Sequence, residues 1–308
     1  MSLRVSRKYC IAPRVITESP NARFFITNNV LGVVFFIDNY YTGEKEICLL
    51  DTVNKISATV ICFNEEDKIG LCLGSLQDVV DEIIVVDSFS TDRTKEICES
   101  YAKVKFYENP FKGHIEQKNF ALTLCNHEYI LSLDADEALS KELRQSLLEI
   151  KNHLNFDAYK FNRLTNYNGF WVRHCGWYPD TKLRLIKKGS ASWQGKNPHD
   201  ILIPLKTDTK VGFLSGDLLH YSYDSITDHV DQTNRFTTIA AKAAFESGTR
   251  SSLFKIISRP ILKFLKDYFL KGGILDGRYG LIICSINALS AFLKYSKIKE
   301  LQDQRRID

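Results

Sequence analysis

The chain contains no C-x-x-C pair. Its eight cysteines, Cys10, Cys48, Cys62, Cys72, Cys98, Cys125, Cys175 and Cys284, are scattered, and several fall inside apolar periodic segments. That spacing argues against disulfides and zinc ligation and predicts buried free thiols in a reducing compartment. No G-x-G-x-x-G follows the first apolar strand-like run, which disfavours a dinucleotide oxidoreductase. No basic stripe interleaved with aromatics occurs in the first half, and a formal net charge of +4 is too small to argue for nucleic acid. Residues 1–20 carry Arg4, Arg7, Lys8 and Arg14 but no continuous apolar core, so a secretory signal is not expected. Long apolar runs are missing as well: Leu281 to Leu293 is short for a membrane span and ends at Lys294 and Lys297.

What is present is an alternation of apolar runs and polar turns. The chain has 308 residues, 44% hydrophobic and 25% charged, enough for a large core and best read as one catalytic domain with appendages. Lys55 to Cys62 is β-branched and apolar and runs into Phe63-Asn64-Glu65-Glu66-Asp67, where Asn64 is a good helix N-cap before Ile69, Leu73 and Leu76. Glu82 to Asp87 repeats the pattern and runs into Ser88-Phe89-Ser90-Thr91-Asp92. Tyr129 to Leu133 does so again and ends on Asp134-Ala135-Asp136. Near-continuous apolar strands alternating with helices imply a parallel sheet covered on both faces. Asn64, Glu65, Asp87 and Asp134 then share the carboxyl edge of that sheet, where open α/β folds keep their ligands. Two carboxylates one residue apart at such an edge can divide the labour. One accepts from a substrate hydroxyl, and the other holds a hard divalent cation that bridges to phosphate.

In order, ATVICFNEEDKIGLCLGSL, DEIIVVDSFSTDRT, HIEQKNFAL and YILSLDADE resemble the nucleotide-binding half of family 2 inverting glycosyltransferases of GT-A fold. The block FWVRHCGWYPD at Phe170 to Asp180, with Lys182-Leu183-Arg184-Leu185, is similar to the subgroup that adds sugars to the lipopolysaccharide inner core, β-1,4-glucosyltransferases among them. The resemblance runs from about Lys55 to Lys297. It implies an α/β GT-A fold: a mostly parallel central sheet with helices on both faces, followed by C-terminal helices. The catalytic domain is expected over 55–225, with 55–137 as the nucleotide half and 138–225 as the acceptor half, and a helical region over 226–308. Residues 1–54 lie outside the resemblance and read as a small β appendage of short strands, with a turn at Tyr41-Thr42-Gly43.

Matched residue by residue, the resemblance implies that Phe63, Asn64, Glu65 and Asp87 grip the base and ribose of a nucleotide diphosphate sugar, a UDP-hexose. Asp87 suits a uracil N–H and Phe63 its face. Glu65 reads equally well as first-turn helix charge, and Asp67 reads better that way. Lys118 resembles the family's basic residue near the donor phosphates or ribose. Asp134 is expected to accept from the ribose, and Asp136 to coordinate Mg²⁺ or Mn²⁺ on the diphosphate. Glu137 reads as a support for that pair or as helix N-terminal charge. His220 matches a C-terminal histidine that in GT-A enzymes often completes the metal shell, and an imidazole ligand favours manganese. The base must lie across the sugar from the diphosphate, so it is sought in a later segment. Asn197-Pro198-His199-Asp200, after a turn at Trp193-Gln194-Gly195, offers Asp200; the subgroup usually has His-Glu there, one methylene longer. Asp200 as the cap of a turn before Ile201 remains an open alternative. Arg173, His174, Trp177, Tyr178 and Arg184 are the expected acceptor contacts, because aromatic faces suit sugar rings and arginine suits phosphorylated acceptors. One of Trp171 and Trp177 is expected in the core.

Asp228 to Ser247 reads as a helix with an alanine-rich side. Ser251 to Lys271 places Lys255, Arg259, Lys263 and Lys266 on one face and Ile257, Ile261, Phe264, Leu265 and Tyr268 on another, with Pro260 as a kink or restart. Such a basic amphipathic helix, beside the lipid-linked glycan acceptor that the resemblance implies, predicts a cytoplasmic protein held peripherally on the anionic inner face of the cytoplasmic membrane. The function expected is metal-dependent, inverting transfer of a hexose to a lipopolysaccharide-core or other surface-glycan acceptor. Two rivals stand beside it. A polyprenyl-phosphate sugar transferase would share the amino-terminal half but fits poorly with the acceptor block and the lack of long spans. A catalytically inactive GT-A binding module at the membrane is the other.

Overall fold

The computed structural model describes residues 24–29, 32–38, 45–50, 54–196 and 199–307. They fall into two units, one of 1–54 with 150–154 and one holding the remainder. In the smaller unit β1 (Phe24–Asn29), β2 (Gly32–Asp38) and β3 (Lys45–Leu50) pair antiparallel in the order β1-β2-β3. The expected turn at 41–43 and the segment 1–20 lie outside the described residues.

The larger unit begins with β4 (Ile56–Cys62), α1 (Ile69–Leu76), β5 (Glu82–Asp87), α2 (Thr94–Glu99), β6 (Val104–Glu108), α3 (His114–Leu124) and β7 (Tyr129–Asp134). It continues through β8 (Glu137–Leu139), α4 (Lys141–Ile150), β9 (Ala158–Tyr167), β10 (Phe170–Val172), β11 (Asp180–Lys187), the hairpin β12 (Ala191–Lys196) and β13 (His199–Pro204), and β14 (Val211–Tyr223). Three helices follow: α5 (Ile226–Glu246), α6 (Leu253–Leu265) and α7 (Gly277–Ile307). Nine strands form one sheet in the order β6-β5-β4-β7-β11-β9-β14-β8, with β10 paired to β9.

From β6 to β7 the sheet is parallel, as the helix-length connections require. Beyond β7 it is mixed: β11 runs antiparallel to β7 and β9, and β8 to β14, while β9 and β14 are parallel. Short returns need no crossover helix, and the only helix in that stretch among the described residues is α4, so the second half departs from the parallel pattern of the first. The chain lays β5 and β6 on one side of β4, and then α3 carries it back to β7 on the other side. That reversal is a topological switch point. Register aligns the strand ends there, with Cys62 opposite Asp87 and Ile61 opposite Asp134.

The core explains why these runs became strands. β4, β5 and β7 are buried along nearly their whole length, and α1, which packs against β8 and α2, buries Ile69, Cys72, Leu73 and Leu76 at helical spacing. Each such aliphatic side chain contributes about 1.5–3 kcal/mol by leaving water. At the opposite edge from the switch point, Glu82 accepts from Ser57 Oγ (2.6 Å), Lys105 Nζ (2.8 Å), Asn126 N (2.7 Å) and Asn126 Nδ2 (2.9 Å). Burial works against its charge, but these donors outweigh burial and hold the carboxyl down at about 2. This knot ties the exit of α3 to three strands and so fixes where α3 lies. Cys62, Cys72, Cys98, Cys125, Cys175 and Cys284 are buried and free.

The C-terminal helices depart from the sequence reading in two respects. α6 runs through Pro260 unbroken and passes into a π-helical turn at Lys266–Leu270. Lys294 and Lys297 end the apolar run but not the helix: α7 continues to Ile307, and Lys297 Nζ donates to Asn234 O (2.8 Å), Thr237 Oγ1 (3.0 Å) and Thr238 Oγ1 (2.7 Å) on α5. Gly273–Arg305 is therefore long and apolar enough, by length and composition, to cross a membrane, the one such helix among the described residues. It packs against α5 and α6.

Candidate active site

A cavity of about 1780 Å³ opens at the switch point. Drug-sized pockets run to about 1000 Å³, so this one is large. Phe63 and Glu65 reach its wall from the end of β4, Asp134 and Asp136 from the end of β7, Lys118 from α3, Arg184 from β11, Asp200 from β13 and His220 from β14. These are eight of the fourteen residues expected from the sequence.

Asn64 and Asp87 do not line the wall; they hold it. Asn64 has a left-handed φ of 53°, donates its N–H to Ser90 Oγ (2.8 Å) and accepts from Thr91 N on Oδ1 (2.8 Å). It thus stitches the β4 turn to the β5 turn rather than capping α1, whose N-cap is Lys68. Asp87 is 1% exposed; its oxygens accept from Ser90 N (2.7 Å), Ser90 Oγ and Cys62 Sγ (3.3 Å). The neighbour that reaches the cavity is Ser88.

Asp134 sits between two cations. Lys118 Nζ is 2.8 Å from its Oδ1, and Arg184 Nη2 is 3.4 Å from its Oδ2. Burial opposes its charge, but Lys118 and Arg184 prevail and hold the carboxyl well below the usual carboxylate range. Lys118 is 4% exposed and spans to Asp200 Oδ2 at 2.7 Å, so one ammonium joins α3, β7 and β13. Its Nζ lies 4.2 Å above the Trp193 ring, and Arg184 Cζ lies 5.1 Å from the same ring. Asn119, next to Lys118 on α3, donates to Trp193 O (2.8 Å) and accepts from Trp193 N (2.9 Å), which fastens the β12–β13 hairpin and with it Asp200. Trp193-Gln194-Gly195 is part of β12 and not the turn expected; Asn197 and Pro198 lie outside the described residues. Fully buried Glu137 belongs to strand β8, not to a helix start. It accepts from Asp134 N (3.0 Å) and pairs with Arg184 Nη2 (2.7 Å).

Asp136 Oδ2 lies 3.1 Å from His220 Nε2. Pairing of β8 with β14 brings them together, and Tyr221 N donates to Asp136 O (2.9 Å). Burial, and after it the charge of Asp136, pushes Glu65 up to about 7, so negative potential is concentrated at this end of the cavity. Among the described residues no three His, Cys, Asp or Glu side chains stand close enough to enclose an ion. A carboxylate and an imidazole nitrogen on one point of the wall are nevertheless donor types that would hold a divalent cation.

The expected acceptor block is placed elsewhere. His174 Nδ1 and N contact Asp276 at 2.7 and 2.9 Å, and Trp177 packs with Tyr167, Tyr223 and His229 beside the buried Cys175 and Cys284. Tyr178 donates to Asp217 Oδ1 (3.0 Å), and Arg173 lies over the Tyr178 ring at 5.6 Å. These four do not line the cavity; the block anchors the sheet to the C-terminal helices, and a local pattern of aromatics and arginine cannot distinguish that role from sugar contact. Trp171 and Trp177 are both partly buried, Trp177 against the cluster of Cys175 and Cys284, and the tryptophan in the core is Trp193. Also on the cavity wall are Lys160, Arg163, Lys182 and one stripe of α5: Gln232, Arg235, Phe236 and Ile239. Their spacing of three and four residues is a helical face that was legible in the sequence.

Residues 57–202 match the profile described as glycosyl transferase family 2. Over 255 residues the chain is 32% identical to the lipopolysaccharide core biosynthesis glycosyltransferase LpsC of Rhizobium meliloti, covering 79% of this chain and 91% of that protein. Over 263 residues it is 32% identical to an uncharacterized glycosyltransferase, RT0209, of Rickettsia typhi, covering 82% and 90%. Among solved structures, the mannosyltransferase PcManGT from Pyrobaculum calidifontis, in complex with GDP-Man and Mn²⁺, aligns with a TM-score of 0.45 at 14% identity over 82% of this chain and 89% of that one. A likeness that low adds nothing to the sequence matches, which suffice by themselves. The chain belongs to glycosyltransferase family 2 and is a glycosyltransferase of GT-A fold.

Proposed function

We propose that the enzyme transfers a hexose, with inversion, from a nucleotide diphosphate sugar of UDP type to a lipopolysaccharide-core or related surface-glycan acceptor, with manganese or magnesium as cofactor. The observation that carries this reading is the convergence on one cavity of Asp136 with His220 and of Lys118 with Asp134 and Asp200. The name of the LpsC relative supports the acceptor class. Phe63, exposed on the wall, covers the base, and Asp134, kept ionised by Lys118 and Arg184, accepts from the ribose. Asp136 and His220 would hold the cation, which when bound supplies Lewis-acid stabilisation of the leaving diphosphate. Lys118 adds its positive charge beside that group. Asp200 takes the proton from the acceptor hydroxyl as the hydroxyl attacks the anomeric carbon from the face opposite the diphosphate.

The test is a panel of nucleotide sugars scored for release of free nucleotide with and without Mn²⁺ or Mg²⁺. Metal-dependent release from one donor is expected. Binding of nucleotide with no release from any donor would instead support an inactive binding module.

The same reading places the enzyme peripherally on the inner face of the cytoplasmic membrane, beside a lipid-linked acceptor. α6 supports it: none of its residues is buried, Leu253, Phe254 and Ile257 are 72%, 78% and 62% exposed, and Lys255, Arg259 and Lys263 are interspersed with them. Each basic residue near an anionic surface contributes about 1 kcal/mol. In flotation assays the full chain is expected to bind vesicles containing phosphatidylglycerol and not vesicles of phosphatidylcholine alone. Ile257→Glu with Ile261→Glu is expected to weaken binding at least about tenfold. Unchanged flotation of that variant would remove α6 from the reading.

A further inference from the structure

Two buried residues of the cavity wall carry nitrogens that lack an acceptor among the described residues. Arg184 is 3% exposed and Trp193 4%, yet Arg184 Nε, Arg184 Nη1 and Trp193 Nε1 have no hydrogen-bond partner there. A buried donor left unpaired is destabilising, and such groups are normally matched by protein, water or ligand. These stand together: Arg184 Cζ lies 5.1 Å from the centre of the Trp193 ring. Arg184 Nη2 is engaged by Glu137 (2.7 Å) and Asp134 (3.4 Å), which fixes the guanidinium and leaves its other two nitrogens open. Lys118, 4.2 Å above the ring, is a donor as well, so it cannot serve the indole N–H. On the hairpin, Gly195 is the register partner of Asp200 and Leu202 that of Trp193. Trp193 and Asp200 therefore share one face, with no side chain opposite the carboxylate.

Charge decides what kind of group suits these donors. Ion pairs link Lys118, Arg163, Lys182 and Arg184 to Asp134, Glu137, Asp180 and Asp200, four cations to four carboxylates. The network is formally neutral, so the matching acceptor is an uncharged oxygen such as a hydroxyl rather than an anion. Position points the same way. Lys118 bridges Asp134, at 2.8 Å, and Asp200, at 2.7 Å. With Asp134 on the ribose and Asp200 on the attacking hydroxyl, the transferred sugar lies between the two carboxylates. The Trp193 ring, beneath Lys118, then stands beside that sugar.

We infer that Trp193 Nε1 and the two open nitrogens of Arg184 donate to hydroxyls of the transferred sugar and so discriminate among donor hexoses. This rests on the reading of the cavity as a glycosyl-transfer site and names two specificity-determining residues within it. A site that hydrogen-bonds a sugar hydroxyl rejects a sugar that presents none there, because its buried donors are then left unpaired. The full chain is titrated calorimetrically in Mn²⁺ buffer, without acceptor, with UDP-glucose, UDP-galactose and GDP-mannose, each affinity divided by that of its bare nucleotide. At least one of the three is expected to bind. Trp193→Phe removes one donor while keeping an aromatic ring against Lys118 and Arg184. It is expected to weaken the preferred sugar about fivefold and the others less than about twofold, so that discrimination narrows. Arg184→Lys keeps the charge that faces Glu137 but loses the fork, and is expected to act in the same direction. One common factor for all three sugars in both variants, no change in either variant, or a native chain that binds none of the three overturns the inference. Discrimination that narrows, in a chain that releases nucleotide from no donor, upholds the two residues while the transfer reading fails. Metal-dependent release with discrimination untouched by either substitution does the reverse.

Discussion

Replacing Asp136 with asparagine is expected to lower metal-dependent nucleotide release about a thousandfold, roughly 4 kcal/mol of transition-state stabilisation. Asparagine keeps the shape of the side chain and can still meet His220 Nε2, now 3.1 Å away, while the main-chain bond from Tyr221 N to Asp136 O is untouched. What goes is one negative charge at the point where the cation is proposed to sit. The loss should therefore fall on turnover and on manganese-dependent nucleotide binding, with thermal stability close to that of the native chain. His220→Ala removes the neutral ligand of the pair and is expected to cost less, about ten- to a hundredfold in metal affinity. Measured at saturating manganese, an Asp136→Asn rate within threefold of native would falsify the assignment of this carboxylate to the metal.

Asp136 and Asp87 looked alike in the sequence, each a carboxylate at the end of a buried strand, and the structure separates them. Such ends are legible because β4, β5 and β7 are continuously apolar, and the order of the runs yields the parallel half of the sheet. The direction of a side chain in the following turn is not legible, since it hangs on single backbone angles such as the left-handed φ of Asn64 (53°) and Phe89 (64°). With those angles Ser90 comes back over Asp87 and takes up both of its oxygens. Pairs across the chain were reachable only through the family resemblance. Asp136 and His220 are 84 positions apart, and Lys118 and Asp200 are 82 apart. The first pair meets through β8 and β14, the second through the hold of Asn119 on Trp193. His174, expected as an acceptor contact, shows the same reason in reverse: its partner Asp276, 102 positions away, belongs to a region whose packing no local pattern announces. The α5 stripe is a different case, because its period was present and the alanine side drew attention from it.

Asp200 carries the second large effect. Asp200→Asn is expected to reduce kcat about a thousandfold, within the 10²–10⁴ range of a general base, with the KM for donor changed less than about threefold. The side chain is 9% exposed and its Oδ2 meets Lys118 at 2.7 Å, so a purely structural role as the partner of Lys118 must be distinguished from a base. Asparagine answers that, because its carbonyl oxygen can still accept from Lys118 while it cannot take a proton. Lys118→Met makes the converse change and leaves Asp134 and Asp200 without their shared ammonium, a loss of about 3 kcal/mol of stability for a buried pair broken on one side. In the double variant part of that stability should return, since one of the two stranded charges is gone. A structural Asp200 gives the opposite pattern: Asp200→Asn leaves kcat within threefold of native, and the base must then be sought on another wall of the cavity.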